Sequence, residues 1–355
     1  MESGTQAATD RQAPDLAGGG SASPEGPRAT TSGDATRFAE LHGALARNLA
    51  DAIAGKAEVI DLLLLALIAE GHVLVEDVPG VGKTTLAKAL AGSIDGRYGR
   101  IQFTPDLLPA DVVGVNVWNR ATGSFDFRPG PVFANVVLAD EINRASPKTQ
   151  SALLEAMAER QVTIDGATRR LPPPFLVIAT QNPIESEGTY PLPESQLDRF
   201  LLKVSVGYPA RDAELSILET HGDGEPLDRL RPVVTAAQVN GLAAAARSVH
   251  VAPPLQGYLV DLAAATRAHP HVEVGMSPRA TLALQRVARA RAATRGRRYV
   301  VPDDIKALAE PVLAHRILLT PSARVSQVTP QHVVADVLAR VPLPQPEPSS
   351  PAPPR

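Results

Sequence analysis

Cysteine is absent from the 355 residues, which excludes disulfides, thiolate catalysis and cysteine-ligated zinc. No segment is apolar for long enough to cross a bilayer. The most apolar run, Leu62 to Ala69, is closed by Asp61 and Glu70, whereas a membrane helix needs about 20 residues. The first residues lack both the basic start and the apolar stretch of a secretion signal, so a cytoplasmic protein without membrane insertion is expected. A dominant charge is missing too: the formal net charge is −3, which gives no general attraction to nucleic acid or to an anionic surface. There is no internal repeat, no helix-turn-helix pattern and no Ser-His-Asp order. The histidines are scattered. His269-Pro-His271 is the only close pair and, without a carboxylate set, reads as loop surface rather than a metal site.

What is present divides into four parts. Residues 1–36 are rich in Ala, Gly, Ser, Thr, Pro and Asp; too few large apolar groups are there to offset the entropy of ordering, and a disordered tail is expected. Residues 341–355 read as a second, proline-rich disordered tail. Structured sequence is expected from about Arg37. Helices over 37–55 and 56–70, with Leu41, Leu45, Leu49 and Ile53 at helical spacing, are stopped by Gly71.

Short apolar runs at His72–Glu76, Arg100–Phe103, Asn135–Ala139, Phe175–Ala179 and Phe200–Val204 read as strands. Helices alternate with them, one capped by Ser146 and opened by Pro147. That alternation implies a mainly parallel sheet covered on both faces. Two hairpins interrupt it, at 115–127 and at 161–171 around Asp165-Gly166. The polar stretch Gly222–Pro232 marks a boundary, and residues 233–340 read as helices with no clear strand pattern.

The chemistry begins after the first strand. The phosphate-loop pattern G-x-x-x-x-G-K-[ST] is met at Gly82, Lys83 and Thr84, while Asp77 stands where the first glycine belongs. Pro79, Gly80, Val81, Gly82, Lys83, Thr84 and Thr85 form the candidate nucleotide cradle. Backbone N–H groups from Gly80 to Thr84, with the positive end of the following helix behind them, suit phosphate. Lys83 brings a charge for the β and γ oxygens, and Thr84 a hydroxyl for Mg²⁺. Read alone, the motif also fits a chance Gly-Lys-Thr in a glycine turn. The apolar strand Val136–Ala139 then runs into Asp140-Glu141. An aspartate at a strand tip suits the water shell of Mg²⁺, and the adjacent glutamate suits polarising an attacking water. Two carboxylates that merely end a strand are the alternative. The expected ligands are ATP and Mg²⁺.

Three long stretches resemble one family. LADEINRASPKTQSALLEAMAERQVTIDG (Leu138 to Gly166), ATQNPIESEGTYPLPESQLDRF (Ala179 to Phe200) and FTPDLLPADVVGVNVWN (Phe103 to Asn119) look like the MoxR AAA+ ATPases, and the likeness covers roughly 37–340. The resemblance implies a P-loop AAA+ core over 37–222 and a small all-helical lid over 233–340. It implies that Asn182 is the sensor-1 residue, Arg199 an arginine finger reaching a neighbouring subunit's ATP, and Arg279 the sensor-2 residue of the lid. By residues alone, Asn182 also suits a turn, Arg199 a surface ion pair, and Arg279 a solvated first turn. The hairpins match inserts that face the ring pore or the substrate; packing of Trp118, Phe125 and Phe127 against the core fits them equally. Arg144 is a further candidate for a subunit interface.

The expected function is an ATP-hydrolysing, chaperone-like machine. By the resemblance it forms a ring, of six subunits, and acts on a client carrying a von Willebrand factor A domain. The alternative is a nucleotide-dependent DNA or transcription regulator, for which Arg286, Arg289, Arg291, Arg295, Arg297 and Arg298 offer a basic stretch. A solvated helix face accounts for the same arginines, and no nucleic-acid partner is expected.

Overall fold

The computed structural model describes residues 32–53, 55–78, 80–182, 188–220 and 226–344, and only the backbone of 32–35, 216–220 and 226. Pro79 and most of both expected tails lie outside the described residues. The chain runs through α1 (Ser32–Ala52), α2 (Ala57–Ile68), β1 (Val73–Glu76), α3 (Lys83–Ser93), β2 (Tyr98–Gln102) and α4 (Pro109–Val113). A hairpin of β3 (Gly114–Asn119) and β4 (Ser124–Pro129) precedes β5 (Val136–Asp140) and α5 (Pro147–Glu159). A second hairpin, β6 (Gln161–Ile164) and β7 (Ala167–Arg170), precedes β8 (Leu176–Gln181), α6 (Glu194–Leu197) and β9 (Leu202–Val204). Then follow α7 (Arg211–Thr220), α8 (Pro226–Arg229), α9 (Ala236–Arg247), α10 (Pro253–Arg267), β10 (Val272–Val274), α11 (Pro278–Thr294) and α12 (Pro302–Leu313). The last elements are β11 (Leu318–Leu319), α13 (Pro321–Val325) and α14 (Pro330–Arg340).

The central sheet has strand order β2-β5-β8-β1-β9, and every pairing in it is parallel. The side-chain period of two splits the strands between two cores. Val73, Val75, Val136, Leu138, Leu176 and Ile178 point to one face, into a cluster shared with α1, α2, α3 and the lid helices. Leu74, Val137, Ala139, Val177 and Ala179 point to the other, under α5 and Phe103. Burial on both faces is why these strands read as continuous apolar runs.

Several boundaries differ from the sequence reading. Ser32–Thr36, expected in the tail, belong to α1. Once Phe38, Leu45 and Leu49 are docked in the core, extending the helix upstream adds a hydrogen bond per residue at little cost. Residues 226–229, expected in the boundary stretch, form α8. The lid is not free of strand: β10 and β11 pair antiparallel, Val272 with Leu319 and Val274 with Leu318. Their brevity leaves no periodic signal. His269, expected on a loop surface, is buried, and its Nε2 lies 2.9 Å from Asp336 Oδ2.

Two buried histidines hold the sheet to its neighbours. His72 Nδ1 accepts from the Val177 N–H at 3.0 Å, so Nε2 carries the proton and donates to the Met157 carbonyl at 3.1 Å. Burial pushes its pKa down from 6.5 to about 4. His315 Nε2 meets the Phe200 carbonyl at 3.1 Å; burial, aided by the Arg316 charge, lowers its pKa from 6.5 to about 3. Both rings are neutral in the folded chain at pH values where the unfolded chain protonates them. Their contribution to stability is therefore complete above pH 6.5 and is lost as pH falls toward 4 for His72 and toward 3 for His315. For His72 the loss is about 3 kcal/mol. Chemical denaturation at stepped pH should show this decline, and His72→Gln should make it shallower between pH 6.5 and 4, leaving the share due to His315; an equally steep decline in the variant would reject the assignment.

Candidate nucleotide site

The phosphate loop leaves β1 at its carboxyl end and enters α3 at Lys83. Gly80 (φ 86°) and Gly82 (φ 89°) both take the left-handed conformation, which side chains disfavour. A Cβ at either would meet nothing within 4 Å, so the loop faces open space on that side. Val81 between them is buried and anchors the loop to the core. Thr84 and Thr85, half-buried, follow Lys83 in the first turn of α3, where N–H groups lack intrahelical partners. Lys83 Nζ donates to the Asp77 carbonyl at 3.1 Å. Asp77 itself is buried, and its carboxylate accepts hydrogen bonds from Val78 and from Ser205–Gly207. Burial alone would raise its pKa; the donors, Gly207 first, outweigh it and hold the carboxyl below its ordinary value.

Asp140 ends β5, and α3 packs against β5, so Asp140 and the start of α3 stand at one end of the sheet. One hydroxyl arranges both carboxylate residues: Thr180 Oγ1 donates to Asp140 Oδ1 at 2.8 Å and accepts the Glu141 N–H at 2.9 Å. Glu141 is left-handed, with φ 57°, a strain of about 1–2 kcal/mol for a residue with a side chain. It turns the chain off the strand into a short 3₁₀ turn, Ile142–Arg144. Each carboxylate is engaged by a cation or an amide. Asp140 Oδ2 meets Arg100 at 2.8 Å; Glu141 Oε2 meets Gln102 Nε2 at 3.0 Å and Arg144 at 3.1 Å. Asn182, 7% exposed, follows β8, whose last residue Gln181 pairs with Glu76 of β1. It therefore stands between the phosphate loop and the Asp140 strand tip.

The open side of the glycine loop, the Thr84 hydroxyl and the Asp140 carboxylate fit a magnesium-bound polyphosphate. All the donors are oxygen, as a hard cation requires. Arg100 is half-exposed, so its ion pair with Asp140 adds little stability and yields easily to a divalent ion.

Arg199 and Arg279 are not part of this group. With Arg160, Arg286 and Arg316 they line a cavity of about 230 Å³ beside Gly71 and His72, against Glu70, Glu159 and Asp198. That is the amino end of β1, so the strand's own length, about 13 Å for four residues, separates the cavity from the phosphate loop. Arg199 donates to the Leu154 carbonyl at 3.1 Å. Its neighbour Asp198 joins the lid twice, to Arg316 Nε at 2.7 Å and to the Ser277 hydroxyl at 3.2 Å. Ser277 caps α11, which carries Arg279; the two arginines share one frame.

Sequence reasoning passed over Thr180, Arg100, Gln102, Asp198 and Arg316. Thr180 had a signal, a polar residue near the end of an apolar strand. Arg100 and Gln102, alternating on β2, had a weaker one. Arg316 had none, because the partners that tie it to the core, Asp198 and Phe200, lie more than 100 residues away.

Comparison with known proteins identifies the family to which this fold belongs. The family model described as "ATPase family associated with various cellular activities (AAA)" matches residues 72–202, and the AAA lid domain model matches 264–337. The uncharacterized protein YeaC of Bacillus subtilis is 48% identical over 86% of this chain and 95% of its own. Chaperone MoxR1 of Mycobacterium tuberculosis is 42% identical over 92% of this chain and 89% of its own, and protein MoxR of Paracoccus denitrificans 35% over 76% and 86%. A solved structure from Cytophaga hutchinsonii, described as a candidate ATPase, is 36% identical with a TM-score of 0.82, covering 88% of this chain and 97% of that one. Similar along most of its length to proteins named MoxR, and built as an AAA core with an AAA lid, the chain belongs to the MoxR family of AAA+ ATPases.

Proposed function

We propose that this protein hydrolyses Mg·ATP and uses the cycle to remodel or mature a client protein in the cytoplasm. The observation that carries the reading is the Thr180 hydroxyl, which aligns Asp140 and Glu141 together at the end of the sheet that bears the glycine loop. Gly80–Thr85 would cradle the phosphates, and Lys83, released from the Asp77 carbonyl, would neutralise the β and γ oxygens. Thr84 and Asp140 are the residues that would hold Mg²⁺, which supplies charge neutralisation on the phosphate oxygens when bound. Glu141, freed from Gln102 and Arg144, would take the proton of the attacking water, which Asn182 orients.

Arg199 and Arg279 stand too far from their own loop to serve it. They would complete the site of a neighbouring subunit in a ring, six-membered by family analogy, and stabilise transition-state charge there. The hairpins supply a surface for the client, a protein with a von Willebrand factor A domain. Trp118 (51% exposed) and Phe125 (67% exposed) stack edge to face at 5.1 Å on the first. The second joins it through Asn116–Asp165 at 2.7 Å and Arg169 over the Phe127 ring at 4.0 Å.

The DNA-regulator reading has less support. Arg291 and Arg297 of the basic stretch turn inward to the buried Asp304, and Arg286 lines the cavity. Among the described residues no helix is long and apolar enough to cross a membrane.

Glu141→Gln should lower steady-state ATP turnover at least about a hundredfold while ATP binding by calorimetry persists; near-normal turnover would falsify the assignment. Lys83→Ala and Arg199→Ala should each be inactive. Mixing them should restore part of the activity, because the intact loop of one then faces the intact arginine of the other. A mixture as inactive as its components would place Arg199 outside the neighbour's site.

A further inference from the structure

Asp77 departs from the phosphate-loop pattern, and its carboxylate gathers four donors. Oδ1 accepts the Val78 N–H at 3.0 Å; Oδ2 accepts the N–H groups of Val206 at 2.6 Å and Gly207 at 2.7 Å, and the Ser205 hydroxyl at 3.1 Å. The same turn is gripped from its carbonyl side. Lys56, at the corner between α1 and α2, donates from Nζ to the carbonyls of Val206 at 2.7 Å, Gly207 at 3.0 Å and Tyr208 at 2.8 Å. The turn follows β9 directly and opens the stretch that continues through α7 toward the lid. Asp77 also touches the phosphate-loop lysine, through its carbonyl and Lys83 Nζ. One residue is thus bonded to the group that meets phosphate and to the segment that leads to the lid. A glycine at position 77 would offer no acceptor to the buried Val206 N–H, and an unpaired buried donor is costly.

We propose that Asp77 is a positioning residue that couples the phosphate loop to the Ser205–Tyr208 turn, with Lys56 as the opposing half of the clamp, so that nucleotide in the loop is felt at the start of the path to the lid. The proposal rests on the nucleotide-binding reading of the loop. Restoring the motif glycine should therefore harm the protein. Asp77→Gly is expected to weaken ATP binding in calorimetry about tenfold, the scale of lost hydrogen bonds to a charged group. The wild type should show nucleotide-dependent slowing of amide exchange at Ser205–Tyr208, and Asp77→Gly should abolish it. Asp77→Asn, which keeps one side-chain oxygen for the Val206 and Gly207 N–H groups, should recover most of both. Lys56→Met should keep ATP binding but lose the exchange response of the turn.

A wild-type chain that takes up no ATP would overturn the nucleotide reading itself. A wild type that binds ATP, with Asp77→Gly matching it in affinity and in the response of the turn, would overturn the coupling. So would an Asp77→Gly chain whose only change is a lower melting temperature.

Discussion

Parallel pairing of β1, β8 and β5 decides where the charged groups can stand. Glu76 pairs with Gln181, and Ala139 with Ala179, so the carboxyl ends of three strands finish close to level. Chain leaving those ends carries the phosphate loop, Asn182 and Asp140-Glu141 to the same end of the sheet. A ligand crevice at the carboxyl end of a parallel sheet is what the geometry of such sheets favours. The same rule sends Arg199, which precedes β9, to the far end. The separation of the two polar groups is thus a consequence of strand direction.

Electrostatics in the crevice are balanced within the chain. Arg100 and Arg144 answer Asp140 and Glu141, and Lys83 rests on a carbonyl. Arg100 and Arg144 remain half-exposed, so these ion pairs add little stability. The far cavity is different. Five arginines face three acids there, and burial together with the charges of Arg160 and Arg279 pulls the Arg286 pKa below its ordinary value. An excess of cations around a partly enclosed space favours an incoming anion.

The lid is part of the same hydrophobic body as one face of the sheet. Leu242, Leu259, Leu284 and Leu308 belong to one cluster with Leu64, Val75 and Leu138. Polar ties cross the joint as well: Arg316 binds Asp198 and the Phe200 carbonyl at 2.6 Å, and Arg247 reaches Glu70. Close-packed interiors transmit displacement rather than absorbing it.

Local chemistry made much of the fold legible. The apolar runs of β1, β5 and β8 announced buried parallel strands. Ser146 and Ser277 announced helix starts, and both hydroxyls accept the expected N–H. Gly82-Lys83-Thr84 and Asp140-Glu141 declared their chemistry because strand, turn and helix constrain such residues within a few positions. The two-stranded ribbon of the lid, the first turn of α1 and the buried His269 stayed hidden, each depending on partners distant in sequence. The amino-acid sequence by itself determined which residues are chemically suited to phosphate and metal. Only the tertiary structure decided that Thr180 aligns the carboxylates, that Asp77 bonds the turn after β9, and that Arg199 and Arg279 share a cavity away from their own phosphate loop. The reason is physical: propensity and motif act over a few neighbouring residues, whereas hydrogen bonds and charge pairs across a sheet exist only once parallel register has brought separate strand ends together.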